Sequence, residues 1–172
     1  DLDGHLDFMT KEISENGAVV RAALDIDDSK IDAVVDVIIN SERTILTGVG
    51  TSYYVALMGQ YMISDLAGEF TPAMSSDEMP HMVPLRKGDH VLAISQSGET
   101  YDTLRALRLA KENGVNLSAI LNVDSSSMAR EVDQVIHQNA GPEICVLSTK
   151  STISQLALVL RLAIRLAERK ET

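Results

Sequence analysis

The strongest constraint on the fold of this chain is the alternation of short β-type runs with helical segments from about residue 43 onward. Five runs are predicted to be strands, over 43–47, 70–75, 90–94, 116–123 and 134–138. Apolar residues recur at helical spacing between and after them, over 52–66, 101–113, 125–131 and 149–170. Strands that alternate with helices form parallel sheets, so the pattern predicts an α/β fold whose sheet is covered by helices on both faces.

The length of 172 residues predicts a single domain, 1–172, with N-terminal helices over 5–40 and a sheet-containing core over 41–172. The sequence begins at Asp1, with neither a methionine nor a basic segment followed by an apolar one. We therefore expect this domain to be excised from a longer chain.

Composition and charge argue against several classes of function. The net charge of −10 disfavours non-specific nucleic-acid binding, which needs Lys and Arg to displace counterions. No apolar run reaches the roughly 18–20 residues of a membrane span. The single cysteine, Cys145, cannot form an intrachain disulfide, which fits a reducing compartment. We predict a cytoplasmic protein that binds neither nucleic acid nor membrane.

Hydroxyl-rich segments follow three of the predicted strands. They are Gly48–Ser52, Ser95–Thr100 and Glu143–Lys150. The carboxyl ends of parallel strands share one edge of the sheet, where ligands of open α/β sheets bind. Hydroxyls and the free N–H groups of helix N-termini are suitable donors for a phosphate, and Gly98 allows close approach of the backbone. The segments therefore predict a site for a phosphate group on a small molecule.

A structural alternative is that these hydroxyls only cap helices. Ser and Thr are ordinary N-cap residues, so each of Ser52, Thr100 and Thr149 taken alone is better explained as a cap than as a ligand contact. Three hydroxyl clusters at successive strand ends are harder to explain in this way. The binding hypothesis is therefore preferred for the set.

Other site motifs are incomplete or absent in the sequence. Gly48-Val49-Gly50 resembles the start of a dinucleotide fingerprint, but Tyr53 stands where its third glycine belongs. Neither a P-loop nor a nucleophile elbow is present, since Ser95 occupies the elbow's first glycine position. The four histidines lack metal-ligand spacing. We therefore predict neither a metal nor a cofactor.

Several segments resemble the sugar isomerase (SIS) domain family in the same order along the chain. They are HLDFMTKEISEN (residues 5–16), GVGTSY (48–53), SQSGET (95–100), LNVDSSSMARE (121–131) and GPEICVLSTK (141–150). More narrowly, they are similar to the first of two SIS halves in the isomerase part of the glucosamine-6-phosphate synthase family. The resemblance implies a three-layer αβα sandwich with a five-stranded parallel sheet, similar to flavodoxin-like and Rossmann folds.

The resemblance also implies which residues bind a sugar phosphate. In the family, hydroxyl and amide side chains of the SQSGET loop hold the phosphate, and the two other loops contact sugar or phosphate. Carried over to this sequence, the predicted substrate-binding residues are Thr51, Ser52, Ser95, Gln96, Ser97, Thr100, Val146 and Ser148. Val49, Leu147 and Ser151 depart from the family pattern, as does Ser76-Asp77-Glu78, which affects sugar selectivity more than phosphate binding.

The resemblance places the catalytic residues outside this chain. Family members transfer an amide with the cysteine of a glutaminase domain and shuttle a proton with residues in or near the second SIS half, and neither part is present here. Glu99 lies at a predicted helix N-terminus, where the dipole makes a carboxylate a poor base. Glu143 is open to two interpretations, orienting its loop or touching a ligand. The catalytic residues are unknown.

The function implied by the resemblance is therefore sugar-phosphate binding by an inactive half of an enzyme. The parent would convert fructose-6-phosphate and glutamine to glucosamine-6-phosphate and glutamate, in amino-sugar biosynthesis. Alternatives are one half of a fructosamine-6-phosphate deglycase and a non-catalytic sugar-phosphate sensor. Family members pair through helices, so a homodimer is expected. The apolar residues Ile153, Leu156, Leu160, Ile164 and Ala167 could form its interface, or could simply pack on the sheet.

Overall fold

The centre of the molecule is a five-stranded, wholly parallel sheet with strand order β2-β1-β3-β4-β5. A computed structural model describes residues 1–171. The strands are β1 (Arg43–Gly48), β2 (Ala73–Ser75), β3 (Asp89–Ser95), β4 (Asn116–Leu121) and β5 (Gln134–His137). The central strand β3 is buried along its whole length, because it has a neighbour on each side and helices on both faces.

Within residues 1–171, eight helices surround the sheet. They are α1 (Phe8–Ser14), α2 (Asn16–Leu24), α3 (Asp28–Asn40), α4 (Thr51–Ala67), α5 (Met79–Met82), α6 (Tyr101–Glu112), α7 (Ser127–Glu131) and α8 (Lys150–Lys170). Helix α4 ends where Gly68 takes a left-handed conformation with φ of +61°, which glycine adopts without steric cost.

The two faces of the sheet carry separate apolar cores, which makes the fold a three-layer sandwich. On one face, Leu46, Leu92 and Ile120 pack with buried residues of α3, α4 and α8. On the other, Val91 and Leu117 pack with residues of α5, α6 and α7. The predicted α/β fold with a five-stranded parallel sheet is confirmed.

The strand order creates a crevice between β1 and β3. The chain leaves β1 into α4 on one face and leaves β3 into α6 on the opposite face. The loops that follow these neighbouring strands therefore diverge from each other at the carboxyl edge. Such a switch point is where open parallel sheets bind ligands.

Helix α8 buries residues other than the apolar stripe identified in the sequence. Its sheet-facing residues are Leu158, Val159, Leu162, Ala163 and Leu166. Of the predicted apolar stripe, Leu160 and Ile164 are exposed, whereas Leu156 and Ala167 are only partly buried against the core. The alternative that this stripe simply packs on the sheet is therefore wrong for its two exposed members.

No helix within residues 1–171 combines the length and the apolar composition that crossing a membrane requires.

Candidate functional site

The three hydroxyl-rich loops converge on one cavity at the carboxyl edge of the sheet, which we call the sheet-edge cavity. Its volume is about 260 Å³. Its lining residues are Val49, Thr51, Ser52, Ser95, Gln96, Ser97, Thr100, Val146, Leu147 and Ser148. All eight residues predicted to bind substrate are among them, and none of the lining side chains carries a charge. Their role in binding stays a prediction.

The last residue of β3 and the loop after it hold two serine hydroxyls in fixed positions. The Ser95 hydroxyl accepts a hydrogen bond from the Gly98 N–H at 3.0 Å, and the Ser97 hydroxyl accepts one from the Glu99 N–H at 3.2 Å. Each hydroxyl keeps its own proton, since accepting a bond uses only a lone pair. Both serines are therefore oriented by the backbone and remain able to donate to an anion.

The start of α4 provides the second wall of the cavity. Gly50 precedes the helix with φ of +58°, and the Tyr53 and Tyr54 N–H groups bond to its carbonyl. A Cβ at Gly48 would come within 2.8 Å of the Ser52 backbone, so the strand and the helix approach each other more closely than a larger residue allows. This packing brings Thr51 and Ser52 to the cavity at a helix N-terminus, which favours anions.

The alternative that these hydroxyls serve as helix caps is wrong for the three residues considered. Thr100 stands at the N-cap of α6 and Thr149 at that of α8, but neither side chain makes a capping hydrogen bond. Ser52 lies inside α4, whose N-cap is Gly50. The hydroxyls of Ser52 and Thr100 are therefore not used to cap their helices.

The third wall is the loop before α8, where a chain of hydroxyls leads from Thr152, in the first turn of α8, to Glu143 in the loop. The Thr152 hydroxyl donates to Ser148 at 2.9 Å, and the Ser151 hydroxyl donates to Glu143 at 2.6 Å. The Ser148 and Ser151 oxygens are 2.7 Å apart. Since the single Ser151 proton goes to Glu143, Ser148 donates to Ser151. Ser148 then has a free lone pair, which suits it to accept from a hydroxyl of a ligand.

Neither acidic residue considered as a possible base is free. The Glu99 carboxylate accepts the Ser127 N–H at 2.6 Å, and this bond at the start of α7 lowers the pKa of Glu99. Glu143 accepts hydrogen bonds from the N–H groups of Thr149 and Ser151 and from the Ser151 hydroxyl. Glu143 therefore orients its loop, and it is not among the residues that line the sheet-edge cavity.

Two supporting residues escaped the sequence prediction. The buried Gln138 side chain donates to the Ser95 carbonyl at 2.9 Å and so ties the loop after β3 to β5. Glu12, on α1, bonds to the loop before α8. Glu12 lies in a segment that resembles the SIS family, but nothing in the local pattern indicates where its carboxylate points.

Metal-binding groups are not gathered at the site. No set of three or more His, Cys, Asp or Glu side chains among residues 1–171 is arranged to hold a metal ion. The polar groups that line the cavity are hydroxyls and one amide, a donor set better suited to an anion than to a cation.

The profile of the SIS domain family matches residues 37–165. The chain belongs to the SIS domain family. This SIS domain is 40% identical over 161 residues to a glutamine–fructose-6-phosphate aminotransferase [isomerizing] of Sulfurisphaera tokodaii, covering 92% of this chain and 27% of the relative. It is 37% identical over 169 residues to the aminotransferase of the same name from Aquifex aeolicus, covering 98% of this chain and 28% of that protein. It thus spans little more than a quarter of these curated relatives.

Solved structures share the same fold. The C-terminal domain of glucosamine-fructose-6-phosphate aminotransferase from Francisella tularensis superposes with a TM-score of 0.88 at 30% identity, over 99% of this chain and 51% of that chain. The sugar isomerase domain of an RpiR transcription factor from Sphaerobacter thermophilus gives a TM-score of 0.75 at 24% identity, over 94% of this chain and 88% of that one. The second likeness shows the fold alone.

Proposed function

We propose that this SIS domain binds a hexose phosphate in the sheet-edge cavity, as the first SIS half of an isomerising glutamine–fructose-6-phosphate aminotransferase. The observation that carries the proposal is the convergence of eight uncharged residues, from three separate loops, on one cavity of about 260 Å³. Neutral donors are sufficient for a phosphate, because hydrogen bonds to an ionised acceptor are the strong kind.

The two sides of the cavity suit different parts of the ligand. Ser95 and Ser97 keep hydroxyl protons that can donate to phosphoryl oxygens, and Thr100 stands beside them at the start of α6. Ser148, whose proton is already used, is suited to accept from a sugar hydroxyl. We therefore assign the phosphate to the loop after β3 and the sugar to Val146 and Ser148.

The comparison with relatives favours the aminotransferase over the two alternatives. Eight curated relatives at 35–40% identity carry the name glutamine–fructose-6-phosphate aminotransferase [isomerizing]. The transcription-factor domain, at 24% identity, supports the fold and not a sensor function. Nothing in the cavity favours a deglycase.

The proposed whole protein is larger than this single SIS domain of 172 residues. Its reaction would convert fructose-6-phosphate and glutamine to glucosamine-6-phosphate and glutamate. A glutaminase domain and a second SIS half would supply the chemistry, since Glu99 and Glu143 are both engaged as acceptors. The chain would bind sugar phosphate without turnover and would reside in the cytoplasm, where its one thiol stays reduced.

The proposed assembly is a homodimer through the outer faces of α4 and α8. Tyr54, Met58 and Tyr61 are exposed on α4 at helical spacing, with 65%, 46% and 60% of their surfaces accessible. Leu160 and Ile164 are exposed on α8. Gly59 of α4 packs against Val159 of α8, so the two helices lie side by side, and a second copy would cover the exposed apolar residues of both.

The test is a titration of the chain with fructose-6-phosphate, followed by amide NMR shifts and by calorimetry. Shifts should concentrate on residues 95–100, and Ser97→Ala should weaken binding about tenfold or more, the loss expected for one hydrogen bond to a charged group. Ser125→Ala, at an exposed serine outside the cavity, is the matched control and should bind as the unaltered chain does. Shifts confined to other regions would reject the assignment.

A further inference from the structure

The loop that carries Val146 and Ser148 has little backbone support of its own. Residues 138–149 contain no helix or strand, and Val146 is fully exposed. Within residues 1–171, no backbone-to-backbone hydrogen bond involves 142–148. Something other than secondary structure must therefore hold this segment beside the cavity.

Glu12 provides that support from more than 130 residues away in the sequence. Its Oε1 atom accepts the N–H groups of Ile144 at 2.6 Å and of Cys145 at 3.1 Å. Its Oε2 atom accepts the Thr149 hydroxyl at 2.9 Å. One carboxylate thus binds both ends of the segment 144–149, and the three residues between those ends, 146–148, line the cavity.

The environment of Glu12 keeps it ionised and fixed. Only 2% of its surface is accessible. Burial by itself would raise the pKa of Glu12, but the bonds from Ile144, Cys145 and Thr149, with the nearby Lys150 cation, outweigh burial and lower it. A buried carboxylate that accepts three hydrogen bonds has one stable orientation, so it can define the position of the backbone that it binds.

Glu143 has a different role in the same loop. It accepts three hydrogen bonds, from the N–H groups of Thr149 and Ser151 and from the Ser151 hydroxyl, and so fixes the first turn of α8. The single Thr149 hydroxyl proton goes to Glu12, the nearer acceptor at 2.9 Å, and not to Glu143 at 3.1 Å. Glu143 makes no hydrogen bond to Ile144 or Cys145, whose N–H groups bond to Glu12. The position of Ile144 and Cys145 therefore depends on Glu12, which lies on α1.

We propose that Glu12 is a positioning residue for the sugar side of the sheet-edge cavity, acting through the Ile144 and Cys145 N–H groups and the Thr149 hydroxyl. It touches no ligand itself. The expected effect of Glu12 on sugar-phosphate affinity rests on the proposed function. Its effect on the position of the segment 144–149 does not depend on any ligand. The phosphate side, formed by the loop after β3, makes no hydrogen bond to Glu12 and should not respond to its replacement.

The experiment compares Glu12→Gln with the unaltered chain. Glutamine keeps the shape but cannot accept hydrogen bonds with both of its terminal atoms. Without ligand, the Ile144 and Cys145 amides should exchange with solvent faster and change chemical shift, whereas residues 95–100 should not change. Affinity for fructose-6-phosphate should fall about tenfold, as for the loss of one hydrogen bond, and affinity for inorganic phosphate should stay within about twofold.

Two further variants keep the test decisive. Glu15→Gln is the matched control, since Glu15 pairs with Lys150 and not with the loop backbone, and it should leave sugar-phosphate affinity unchanged. Thr149→Val removes the hydroxyl that donates to Glu12 and lies 3.1 Å from Glu143, and it keeps the bond from the residue 149 N–H to Glu143. It therefore serves if Glu12→Gln does not fold, and it should weaken fructose-6-phosphate binding more than phosphate binding.

The outcomes separate this inference from the proposed function. Equal loss of both ligands, or unchanged exchange at Ile144 and Cys145, overturns the positioning role. If the unaltered chain binds neither ligand, the proposed function fails, and the exchange measurement still decides whether Glu12 holds the loop.

Discussion

Gly98 lies against Ser126, with no space between them for a side chain. A Cβ at Gly98 would come within 2.3 Å of the Ser126 Oγ and 2.6 Å of its Cβ. Gly98 also has φ of +66°, in the left-handed region. The loop after β3 and the start of α7 therefore meet at a point where only glycine fits.

Replacing Gly98 with alanine should disturb both stability and binding. We expect Gly98→Ala to lower the free energy of unfolding by about 2–4 kcal/mol, from backbone strain together with overpacking against Ser126. The displaced loop should also bind fructose-6-phosphate more weakly. Urea unfolding and calorimetry measure the two effects.

Gly114 offers a control for the backbone component alone. It has φ of +73°, but the nearest atom to an added Cβ is 3.6 Å away, on Lys87. Gly114→Ala should therefore cost only about 1–2 kcal/mol and leave binding unchanged. Equal costs at the two glycines would show that contact with Ser126 has no energetic importance.

Glu99 is predicted to support the fold and not to act as a base. Its carboxylate accepts the Ser127 N–H, and this bond lowers the pKa of Glu99. Glu99→Gln should reduce thermal stability slightly, because a neutral amide oxygen is a weaker acceptor at a helix N-terminus. Affinity for fructose-6-phosphate should stay within about twofold of the unaltered chain, since that bond is outside the cavity. A large loss of affinity, measured by calorimetry, would reverse this assignment.

The buried His90 should make the fold sensitive to mild acid. Its ring lies between the Thr44 hydroxyl at 3.2 Å and the Ser118 hydroxyl at 3.0 Å, on three adjacent strands. Burial lowers the pKa of His90 from 6.5 to about 4, against a smaller opposing effect of Asp133. Between these two pH values the unfolded chain binds the proton and the folded chain does not. Stability should therefore fall as the pH drops below 6.5 and stop falling from this cause below about 4.

The size of this effect follows from the shift in the pKa of His90. A shift of this size lowers the free energy of unfolding by about 3 kcal/mol at most. Urea unfolding of the unaltered chain and of His90→Gln, compared at pH 7 and pH 4, isolates it, because the carboxylates titrate in both proteins. If both lose the same stability, His90 does not titrate as described.

The outer face of α8 should control self-association. Leu160 is 40% exposed on that face, and a charge in a covered apolar interface is costly. Leu160→Glu should convert a dimer to a monomer in sedimentation equilibrium without changing the circular dichroism of the fold. Leu109→Glu is the matched control, since Leu109 is 36% exposed on α6, on the opposite face of the sheet. A monomeric unaltered chain, or a dimer that persists in Leu160→Glu, would contradict the proposed interface.

The sequence predicted strands most accurately where the strand is buried along its whole length. The run 90–94 predicted a strand, and the structure has one at Asp89–Ser95, because an apolar run of this length suits a strand buried on both faces. Strand β2 was predicted over 70–75 and covers only Ala73–Ser75. It pairs with β1 alone at the edge of the sheet, and its residues are only partly buried, so its apolar pattern in the sequence is weak.

The candidate site could be located from the sequence because parallel strands end at a common edge. Once the strands are known to be parallel, the three hydroxyl-rich loops that follow them must lie at the same edge of the sheet. The apolar stripe of α8 was found by its spacing, but helical periodicity could not tell that Leu160 and Ile164 face away from the sheet. Glu12 could not be assigned at all, since its contacts are with Ile144 and Cys145, far along the chain.

The neutral lining of the sheet-edge cavity has a consequence for how an anion reaches it. The chain carries a net charge of −10, and none of the ten lining residues offers a compensating cation. A phosphate dianion is therefore repelled at long range and attracted only at hydrogen-bonding distance. Added salt screens the repulsion and leaves the short-range bonds intact, so raising the ionic strength should speed association, whereas it slows association at cationic phosphate sites.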